Sequence, residues 1–567
     1  MSGASGTDVF PQYLSRLQAA FFFAYFQYDG EVKNTLYTLV IEALQALGVE
    51  NQKFTIEHPT NLAFGDYSTN AGIISKKPQE LADYLDAHKP TEIEKIEVKN
   101  GFINFYLSKE FFKKSITEII EQGNQFGRNE SVNGEKVIVE HTDPNPFKPF
   151  HIGHLMPNVV GSTLARIYEW NGAEVKQACY QGDVGIHVAK AIWGLLHGET
   201  ENAYPVGNKA FEESEESKAE IKEINKKIYD RSDEKINELY DQGRKASLDY
   251  FDSIYTKLGT KFDYFFFESE TAGVGKEIVE SHPEIFEKSE GAIVFHAENH
   301  DKSLHTRVFI NSEGLPTYET KELGLAKVKA EKYPYTKSIV VTGNEIVDYF
   351  KVLLQAMKLI YPDLREKTVH ISHGMLRLPT GKMSSRTGDV ITFEELLEQV
   401  KEKIAEKGDL AQEEVAIGAI KYMILRSNIG SDIVFDIEKS VSTEGDSGVY
   451  LQYSYARTNS LLEKASAKGG ALDTNSQGPA LAREMHPLEK LLYRFPEVVE
   501  RAQTEHAPNL ITTFLTELAG SFSNLYASEQ IISDSPESPY LIAVTKAFNT
   551  VMKNGLTILG IPAPEKM

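Results

Sequence analysis

Two short segments combine residue types that can bind and stabilise phosphate groups. The first is His151-Ile152-Gly153-His154, and the second is Lys382-Met383-Ser384-Ser385-Arg386, which lies between two glycines. Imidazole, ammonium and guanidinium groups donate hydrogen bonds to phosphate oxygens and stabilise charge that builds up during reaction at phosphorus. Taken alone, the histidines could equally be a structural or metal-binding pair, and the second segment a solvated basic turn.

Both segments follow predicted strands. The apolar run 137–139 is typical of a buried parallel strand, and it leads through a proline-rich loop to a helix predicted from Gly153 to Trp170 and a strand over 175–180. A second strand–helix–strand unit is predicted over 338–341, 344–360 and 368–371. Two such units predict a doubly wound, Rossmann-type parallel sheet, in which ligands bind at the carboxyl ends of the strands. The helix after Gly153 would present free N–H groups to a phosphate, and the glycine would allow close approach.

The regions on either side of this sheet have different patterns. Before it, an apolar helical period over 31–47 and β-like runs at 61–70 and 96–107 predict a small α+β module. Within it, the charged stretch 199–252 predicts solvated helices inserted at the sheet edge. After it, an all-helical bundle is predicted from stretches at 415–426, 449–465, 488–502 and 510–526. The predicted domains are 1–130 (extension plus module), 131–410 (sheet, insertion about 199–260) and 411–567 (bundle).

Composition excludes several classes of protein. The 567 residues are 41% hydrophobic and 25% charged, which is enough for several cores. A net charge of −22 argues against a basic DNA-coating protein, so nucleic-acid contact requires a local basic surface. The single cysteine, Cys179, excludes an internal disulfide framework and fits a reducing compartment. No apolar run reaches the roughly 20 residues of a membrane span, and we expect a cytoplasmic, multi-domain protein.

The two phosphate-binding segments on one predicted sheet resemble the signatures of class I aminoacyl-tRNA synthetases, and the finer sequence is similar to the arginyl enzymes. The similar segments are Val139-Glu140-His141-Thr142-Asp143-Pro144-Asn145-Pro146-Phe147-Lys148-Pro149-Phe150, Gly182-Asp183-Val184-Gly185, Gly314-Leu315-Pro316-Thr317-Tyr318, Tyr450-Leu451-Gln452-Tyr453-Ser454-Tyr455-Ala456-Arg457, Gly65-Asp66-Tyr67-Ser68-Thr69-Asn70, Gly101-Phe102-Ile103-Asn104-Phe105 and Pro564-Glu565-Lys566-Met567. The resemblance covers about residues 31–567, and the regions occur in the family's order.

The resemblance implies ATP-dependent attachment of L-arginine to tRNA(Arg) through an arginyl-adenylate, with Mg²⁺ accompanying ATP. It implies catalytic roles on the ATP phosphates for His151, His154, Lys382, Arg386 and Lys148. It implies ATP binding by His151, Gly153, His154, Lys382, Met383 and Ser384. No protein side chain is expected to hold a metal. The family is among the few synthetases that need tRNA before they form the adenylate.

A guanidinium substrate requires buried acceptors, ideally a carboxylate that binds it through two hydrogen bonds. By resemblance, the arginine-binding residues are Glu140, Asn145, Asp183, Tyr318 and Glu322. Tyr318 and Glu322 are four residues apart, so on a helix they share a face. Without the surrounding match, Glu140 would be interpreted as a solvated strand-end carboxylate and Tyr318 as a core aromatic residue.

Several positions depart from the family's usual pattern. Glu322 stands where aspartate is usual, Val184 where an aromatic residue is usual, and His187 where glutamine is common. Ser385 replaces the usual lysine of the second signature, and Arg386 could supply that charge. These changes put the guanidinium contact of Glu322 and the equivalence of the second signature in question.

The helical C-terminal region resembles the family's anticodon-binding bundle. Tyr453, Tyr455 and Arg457 are expected to contact tRNA by stacking and phosphate binding, whereas Phe522, Asn524 and Tyr526 are expected to pack in the bundle core. The N-terminal module would touch the outer corner of the tRNA. The expected partners are tRNA(Arg), L-arginine and ATP, with no DNA or membrane, and we expect a monomer. Two alternatives stay open, namely another class I synthetase or nucleotidyltransferase and a non-catalytic tRNA-binding paralogue.

Overall fold

A small antiparallel sheet with helices forms the first part of the structure. The structure is a computed structural model that describes residues 30–49, 53–200, 202–379, 391–406, 408, 413–468 and 484–567. The elements of this N-terminal module are α1 (Gly30–Ala46), β1 (Ile56–Glu57), β2 (Tyr67–Thr69), α2 (Ala71–Ser75), α3 (Pro78–His88), β3 (Ile93–Lys99), β4 (Phe102–Leu107) and α4 (Lys109–Gln122). The strands pair antiparallel in the order β1-β2-β4-β3. This is the predicted α+β module.

A five-stranded parallel sheet forms the centre of the molecule. The elements of this region are β5 (Lys136–Glu140), α5 (Ile152–Trp170), β6 (Glu174–Gln181), α6 (Ile186–Leu196), α7 (Ala203–Glu213), α8 (Glu215–Asp230), α9 (Glu234–Leu258), β7 (Tyr264–Phe267), α10 (Glu268–Ser281), β8 (Glu287–Ser289), β9 (Ala292–Phe295), β10 (Arg307–Ile310), α11 (Tyr318–Lys332), β11 (Lys337–Gly343), α12 (Val347–Ile360), α13 (Pro362–Lys367), β12 (Thr368–His373) and β13 (Leu376–Arg377). The strand order is β12-β11-β5-β6-β7, and all neighbours are parallel.

This strand order confirms the predicted doubly wound sheet. Val137, Ile138 and Val139 of β5 are fully buried, as expected for a central strand covered by helices on both faces. The chain runs outward from β5 to β6 and β7 on one side, and to β11 and β12 on the other. The topological switch point therefore lies beside the carboxyl end of β5, where such sheets bind their ligands.

The inserted helices differ from the prediction in one respect. Helices α7, α8 and α9 occupy the charged stretch, but Phe251, Ile254 and Tyr255 at the end of α9 are buried in the main core. The C-terminal half of α9 is therefore the crossover that leads the chain into β7. The edge strand β7 and the three-stranded antiparallel sheet β10-β9-β8 were not predicted from the sequence.

Helices dominate the remainder of the described chain. Its elements are α14 (Phe393–Ala405), α15 (Glu413–Leu425), β14 (Ile433–Val434), α16 (Ile437–Ser440), α17 (Gly448–Ala467), α18 (Pro487–Leu492), α19 (Phe495–Thr504), α20 (Asn509–Ser528) and α21 (Ser538–Leu559). The predicted helix over 488–502 is broken in two, because Pro496 occupies the first turn of α19. Helix α21 falls within the region predicted to be helical throughout, although the stretches given from the sequence end at 526, and it is buried on most of its sides.

The C-terminal end of α21 is bound directly by helix α5. Arg166 Nε donates to the carbonyl of Ile558 at 3.0 Å, and Thr163 donates to that of Leu559 at 3.3 Å. The buried ammonium of Lys421 on α15 donates to the carbonyls of Gly560 and Leu258, both at 2.6 Å. The last carbonyls of a helix lack partners within the helix and carry partial negative charge, so these N–H donors cap α21 and α9 together.

No helix in the described ranges is both long and apolar enough to cross a membrane.

Candidate active site

Two histidines cap the N-terminus of α5, next to the switch point of the sheet. The Nδ1 atom of His151 accepts the Gly153 N–H at 3.0 Å, and the Nδ1 atom of His154 accepts the His151 N–H at 3.3 Å. Their rings stack with centroids 3.8 Å apart. Because each Nδ1 is an acceptor, the proton of each neutral ring is on Nε2. Both histidines therefore present an N–H donor away from the helix cap.

Burial keeps these rings neutral. It lowers the pKa of His151 to about 4, with the positive charge of Lys148 adding to the effect. Burial, His151 and Lys148 lower the pKa of His154 well below its ordinary value. At neutral pH the pair is thus a set of uncharged donors beside the positive end of a helix dipole, a combination suited to phosphate oxygens.

Gly153 has a role that differs from the expected one. A Cβ atom at this position would lie 2.7 Å from Cε1 of His151, so only glycine lets that ring fold back over the helix cap. The Gly153 N–H already donates to His151 Nδ1, so it is not free to donate to a ligand. The close approach of a nucleotide predicted at Gly153 would therefore depend only on its lack of a side chain.

Lys148 supplies a cation to this edge of the sheet. Its ammonium lies 4.7 Å from the centre of the Tyr204 ring, and within the described ranges it has no salt-bridge partner. Burial and the neighbouring Lys190 lower its pKa to about 8. A lysine without a carboxylate in a half-buried position is well placed to bind an anion.

The loop from β5 to α5 has an unusual backbone. Thr142, Asp143 and Phe147 have φ values of +85°, +44° and +68°, which non-glycine residues rarely adopt. A buried hydrogen-bond chain supports this loop, because Asn158 of α5 donates to the Thr142 hydroxyl at 3.1 Å and accepts from Thr260 at 2.8 Å. Strained backbone that is held in this way is frequent at functional sites.

Glu140 lies at the carboxyl end of β5 but is not a solvated carboxylate. It is 1% exposed, and its Oε2 accepts a hydrogen bond from the equally buried Lys329 of α11 at 2.6 Å. Its other oxygen, Oε1, has no hydrogen-bond partner in the part of the chain that the structure describes. Lys329 was not singled out from the sequence.

Glu322 and Asp143 are carboxyls without a cation partner. Neither forms a salt bridge within the described ranges, although Asp143 accepts the Tyr180 N–H at 2.8 Å. Desolvation and the nearby Glu140 raise the pKa of both carboxyls well above the usual range, while Lys329 opposes this. A positively charged ligand would reduce the repulsion among these carboxyls. Asp143 was not among the residues predicted from the sequence to bind such a ligand.

The other carboxyl groups nearby already have hydrogen-bond or ion-pair partners within the protein. Asp183, fully buried, accepts from Tyr240, from Arg244 and from both the N–H and hydroxyl of Ser269, at 2.7–2.9 Å. Glu268 pairs with Lys321 at 2.5 Å. The contacts of Asp183 are therefore internal, and they tie the loop after β6 to α9 and α10.

Asn145 and Tyr318 lie at the opening of the site. The Asn145 amide oxygen lies against Gly182, where an added Cβ would come within 2.4 Å of it. Tyr318 is the first residue of α11 and is 59% exposed, so it is not a core aromatic residue. Glu322 follows it by one helical turn, as expected from the sequence.

Three of the four departures from the family's usual pattern lie in the described residues. Local packing accommodates two of these three. Val184 is buried in the apolar cluster beneath the inserted helices. The Nε2 of His187 is 2.7 Å from the Gly182 carbonyl, and burial and Lys148 lower its pKa to about 3. His187 is thus a neutral ring that stabilises the loop after β6.

Lys382, Met383, Ser384, Ser385 and Arg386 lie outside the described residues. The chain resumes next to the histidines, because the Ile391 carbonyl accepts the Ile152 N–H at 3.2 Å and the Phe393 N–H donates to the Phe150 carbonyl at 3.0 Å. The described residues that follow this segment are therefore held against the first turn of α5.

On the bundle, the predicted RNA-contacting residues divide into two groups. Tyr453 of α17 is exposed, and the Arg457 guanidinium lies 3.8 Å from the centre of the Tyr526 ring. Tyr455 is 3% exposed within the core, so its ring is not accessible to an RNA base, which corrects the prediction. Tyr526, expected in the core, is instead exposed beside Arg457, whereas Phe522 is buried and stacks on Phe548.

Among the described residues, no group of three or more His, Cys, Asp or Glu side chains is arranged to hold a metal ion.

Comparison with known proteins gives a consistent result from residue 34 to the last residue of the sequence. The family model "Arginyl tRNA synthetase N terminal domain" matches residues 34–107, "tRNA synthetases class I (R), catalytic domain" matches 115–437, and "DALR anticodon binding domain" matches 451–567. The arginine–tRNA ligase of Halothermothrix orenii is 30% identical over 570 residues, covering 95% of this chain and all of the relative. That of Streptococcus suis is 30% identical over 555 residues, covering 92% of this chain and 98% of the relative.

Similarity in structure extends equally far. The arginyl-tRNA synthetase of Thermus thermophilus superimposes with a TM-score of 0.76 at 23% identity, covering 94% of this chain and 100% of that one. This likeness shows the fold, and the sequence matches show the family. The chain belongs to the arginyl-tRNA synthetase family of class I aminoacyl-tRNA synthetases.

Proposed function

We propose that this chain attaches L-arginine to tRNA(Arg) in two steps that consume ATP. The observation that carries the proposal is the combination, at one edge of the sheet, of two neutral histidine donors on a helix N-terminus with the carboxyls of Glu322 and Asp143, which form no salt bridge within the described residues. The first group suits a nucleotide phosphate, and the second suits a cationic amino acid. Family membership supports the same reaction.

In the first step, an arginine carboxylate oxygen attacks the α-phosphorus of ATP. The bond from that phosphorus to the bridging oxygen of the β-phosphate breaks, pyrophosphate leaves and arginyl-adenylate forms. The Nε2–H groups of His151 and His154 would donate to phosphate oxygens as charge builds up, and Lys148 would add a cation. We propose Gly153, Lys382, Met383, Ser384 and Arg386 as further ATP contacts, on the family resemblance alone.

Mg²⁺ would be bound by ATP phosphate oxygens, which are ligands of the kind this ion prefers, and it would neutralise part of their charge. We propose no protein side chain as its ligand.

In the second step, a ribose hydroxyl at the tRNA 3′ end attacks the arginyl carbonyl carbon. The carbonyl–phosphate bond breaks, AMP leaves and the hydroxyl proton is released. No side chain has to form a covalent bond, so positioning and charge stabilisation are sufficient.

We propose that the arginine side chain lies between α11 and the end of β5. Glu322 would bind the guanidinium, Glu140 would contact it through Oε1, and Asp143 would lie near the α-ammonium group. Tyr318 and Asn145 would line the opening. Asp183, predicted as a direct contact, is retained as a residue that shapes the pocket through Arg244 and Ser269.

Two surfaces would contact tRNA. One is formed by Tyr453, Arg457 and Tyr526 on the bundle, where stacking and a phosphate contact are possible. The other is a cavity of about 380 Å³ on the N-terminal sheet, lined in part by the exposed rings Phe64 and Phe102, by Asn104 and by Lys99. Because the net charge is −22, local cations have to provide the attraction, and binding should weaken with salt.

We further propose a cytoplasmic monomer that binds no DNA, with the domain division 1–130, 131–410 and 411–567, as the family resemblance implies. ATP–pyrophosphate exchange with each of the twenty amino acids, with and without tRNA, tests the function. Exchange with arginine only, and only in the presence of tRNA, is the expected result. Exchange with another amino acid would point to a different class I synthetase, and no exchange at all would point to a non-catalytic tRNA-binding protein.

A further inference from the structure

The buried ion pair between Lys329 and Glu140 joins α11 to the end of β5. The two groups are 2.6 Å apart, and the residues are 4% and 1% exposed. Burying two charges is expensive, and replacing such a pair with apolar residues is often neutral for stability. Stability alone is therefore a weak explanation for this pair, and its position next to the proposed arginine pocket offers another.

Helix α11 carries Lys329 on the same face as the proposed pocket residues. Tyr318, Glu322 and Lys329 follow one another by four and seven residues, which places them in one stripe along the helix. The stripe starts at the exposed Tyr318, continues through Glu322, which forms no salt bridge with any described residue, and ends at the ion pair. Lys329 thus lies at the inner end of the pocket.

The pair uses only one of the two oxygens of Glu140. Lys329 Nζ donates to Oε2, while Oε1 has no hydrogen-bond partner in the described ranges. A carboxylate held by one oxygen is restricted in its rotation and presents the other in a fixed direction. Burial alone would lower the pKa of Lys329, but the carboxylate of Glu140 raises it above its usual value.

We propose that Lys329 is a positioning residue for arginine recognition, because it holds Glu140 by Oε2 so that Oε1 faces the guanidinium bound by Glu322. This inference rests on the proposed function. Without Lys329, the carboxyls of Glu140, Asp143 and Glu322 would share the site with no cation among them. Like charges in a buried site favour protonation of one member, so Glu140 would become a neutral acid and a poorer acceptor.

The test compares Lys329→Met with Lys329→Arg in steady-state aminoacylation by the full chain. Loss of a group that orients a ligand-binding residue typically weakens affinity by roughly 10- to 100-fold, and we expect a rise of that size in the KM for arginine in Lys329→Met. The KM for ATP should stay within about twofold, since the histidines are untouched. Lys329→Arg should restore most of the arginine affinity, because a guanidinium can donate to the same oxygen.

A pH series separates this role from simple packing. In Lys329→Met, the cluster of Glu140, Asp143 and Glu322 lacks the cation that lowers the pKa of Asp143 and Glu322, so a higher pH should be needed to ionise the site. The KM for arginine should then fall more steeply as pH rises than it does in the parent protein, where Lys329 opposes the raised pKa values of Asp143 and Glu322. A purely structural role for Lys329 would produce no such pH dependence.

Lys421→Met is the matched control. Lys421 is as deeply buried as Lys329, but its ammonium binds the carbonyls of Leu258 and Gly560, outside the pocket. We expect this variant to lower Tm without raising the KM for arginine. If Lys329→Met, like the control, only lowers the Tm, or if it raises the KM values for arginine and ATP equally, the inference is wrong.

If Lys329→Met does not fold, Lys329→Gln retains an N–H donor without the charge and should show a smaller KM effect with the same pH dependence. An unchanged KM in a folded Lys329→Gln, at every pH, would overturn the proposal. The proposed function fails in a different way, namely when the parent protein itself does not charge tRNA with arginine.

Discussion

Tyr67 in the N-terminal sheet donates its hydroxyl to the Glu497 carboxylate on α19 of the bundle, at 2.6 Å. Lys33 of α1 and the Nε2 of His58 contact the same carboxylate at 2.6 Å and 3.2 Å. Tyr493, just before α19, packs within the apolar core of the N-terminal module. The two regions proposed to contact tRNA are therefore one connected unit, joined by the contacts of the Glu497 carboxylate and by the apolar packing of Tyr493.

The pH dependence of this connection follows from Glu497. Burial alone would raise its pKa, but His58 and Lys33 lower it to about 2. A carboxyl with a depressed pKa stabilises the folded state above its unfolded pKa, and this contribution is lost as pH falls towards 2. From an ordinary value of 4.5, the shift corresponds to about 3 kcal/mol. Glu497→Gln should therefore be clearly less stable than the parent protein to urea at pH 7, and the difference should shrink near pH 3.

Glu505→Gln provides the comparison, since Glu505 forms an exposed pair with Arg501 at the end of the same helix. Such pairs contribute about 0–1 kcal/mol, so this variant should behave like the parent at both pH values. A Glu497→Gln variant with unchanged stability at pH 7 would show that the contacts of Glu497 do not hold the module to the bundle.

The activation step should depend on pH through Lys148 and not through the histidines. Since the pKa of His151 is about 4, the kcat/KM for ATP should show no step near pH 6.5. It should decline above about pH 8, where Lys148 loses its charge. Lys148→Met should be slower and should lack this decline. Pyrophosphate exchange between pH 6 and 9 measures both effects, and a decline that persists in Lys148→Met would assign it to another group.

His154→Ala should reduce the exchange rate by roughly 10²- to 10³-fold, the usual effect of losing one donor to a developing charge. His154→Asn retains an N–H donor and should recover part of the rate. Equal loss in both variants would mean that the ring acts by packing against His151 and Phe150 and not by donating a hydrogen bond.

Glu322 should dominate the selection of the guanidinium group. Removing one partner of a buried charge pair costs about 2–5 kcal/mol, so Glu322→Gln should raise the KM for arginine by roughly 30-fold or more. Glu322→Asp keeps the charge and should lose less. Citrulline, the neutral analogue, should compete better in Glu322→Gln than in the parent. Glu331→Gln, on the exposed end of α11, should leave every parameter unchanged.

Arg457→Met should weaken tRNA binding and leave arginine activation at saturating tRNA unaltered. Loss of one phosphate contact should also reduce the salt dependence of tRNA binding by about one charge. Tyr455→Phe is the control, because the Tyr455 ring is buried and should not affect tRNA affinity. The KM for tRNA at several salt concentrations distinguishes them. A larger loss in Tyr455→Phe would contradict its placement in the core.

Most of the architecture was predictable because apolar patterning depends on short stretches of chain. The buried strand 137–139, the start of α5 near Gly153 and the bundle helices all follow from local periodicity. The edge strand β7 did not, since Tyr264-Phe265-Phe266-Phe267 has no alternation and follows directly from a charged helix. The bounds of α21 were not predicted either, because a helix buried on most sides lacks the one-sided apolar stripe that periodicity detects.

Residues of the candidate site could be predicted only where the residue type and its spacing indicate a chemical role without knowledge of the fold. His151 and His154 were identified by their spacing, but the reason for Gly153 between them required knowledge of the folded His151 ring. Asp143 and Lys329 were missed because their roles depend on Glu140 and Glu322, which are brought together only in the folded protein. Tyr455 was expected to contact RNA but is buried, whereas Tyr526 was expected to be buried but is exposed. Spacing along a helix does not reveal which face packs against a neighbouring helix.

The capping of α21 by α5 has a consequence for how the protein is made. Thr163 and Arg166 leave the ribosome 396 and 392 residues before the carbonyls that they bind. Until the end of α21 arrives, Arg166 lacks its Ile558 acceptor and Lys421 has only the Leu258 carbonyl, so burying the two side chains would be costly. Helix α5 can therefore complete its packing only after the bundle has been synthesised. In a chain that terminates early within the bundle, this helix would remain exposed. Such a chain should be degraded by proteases and should not retain partial activity.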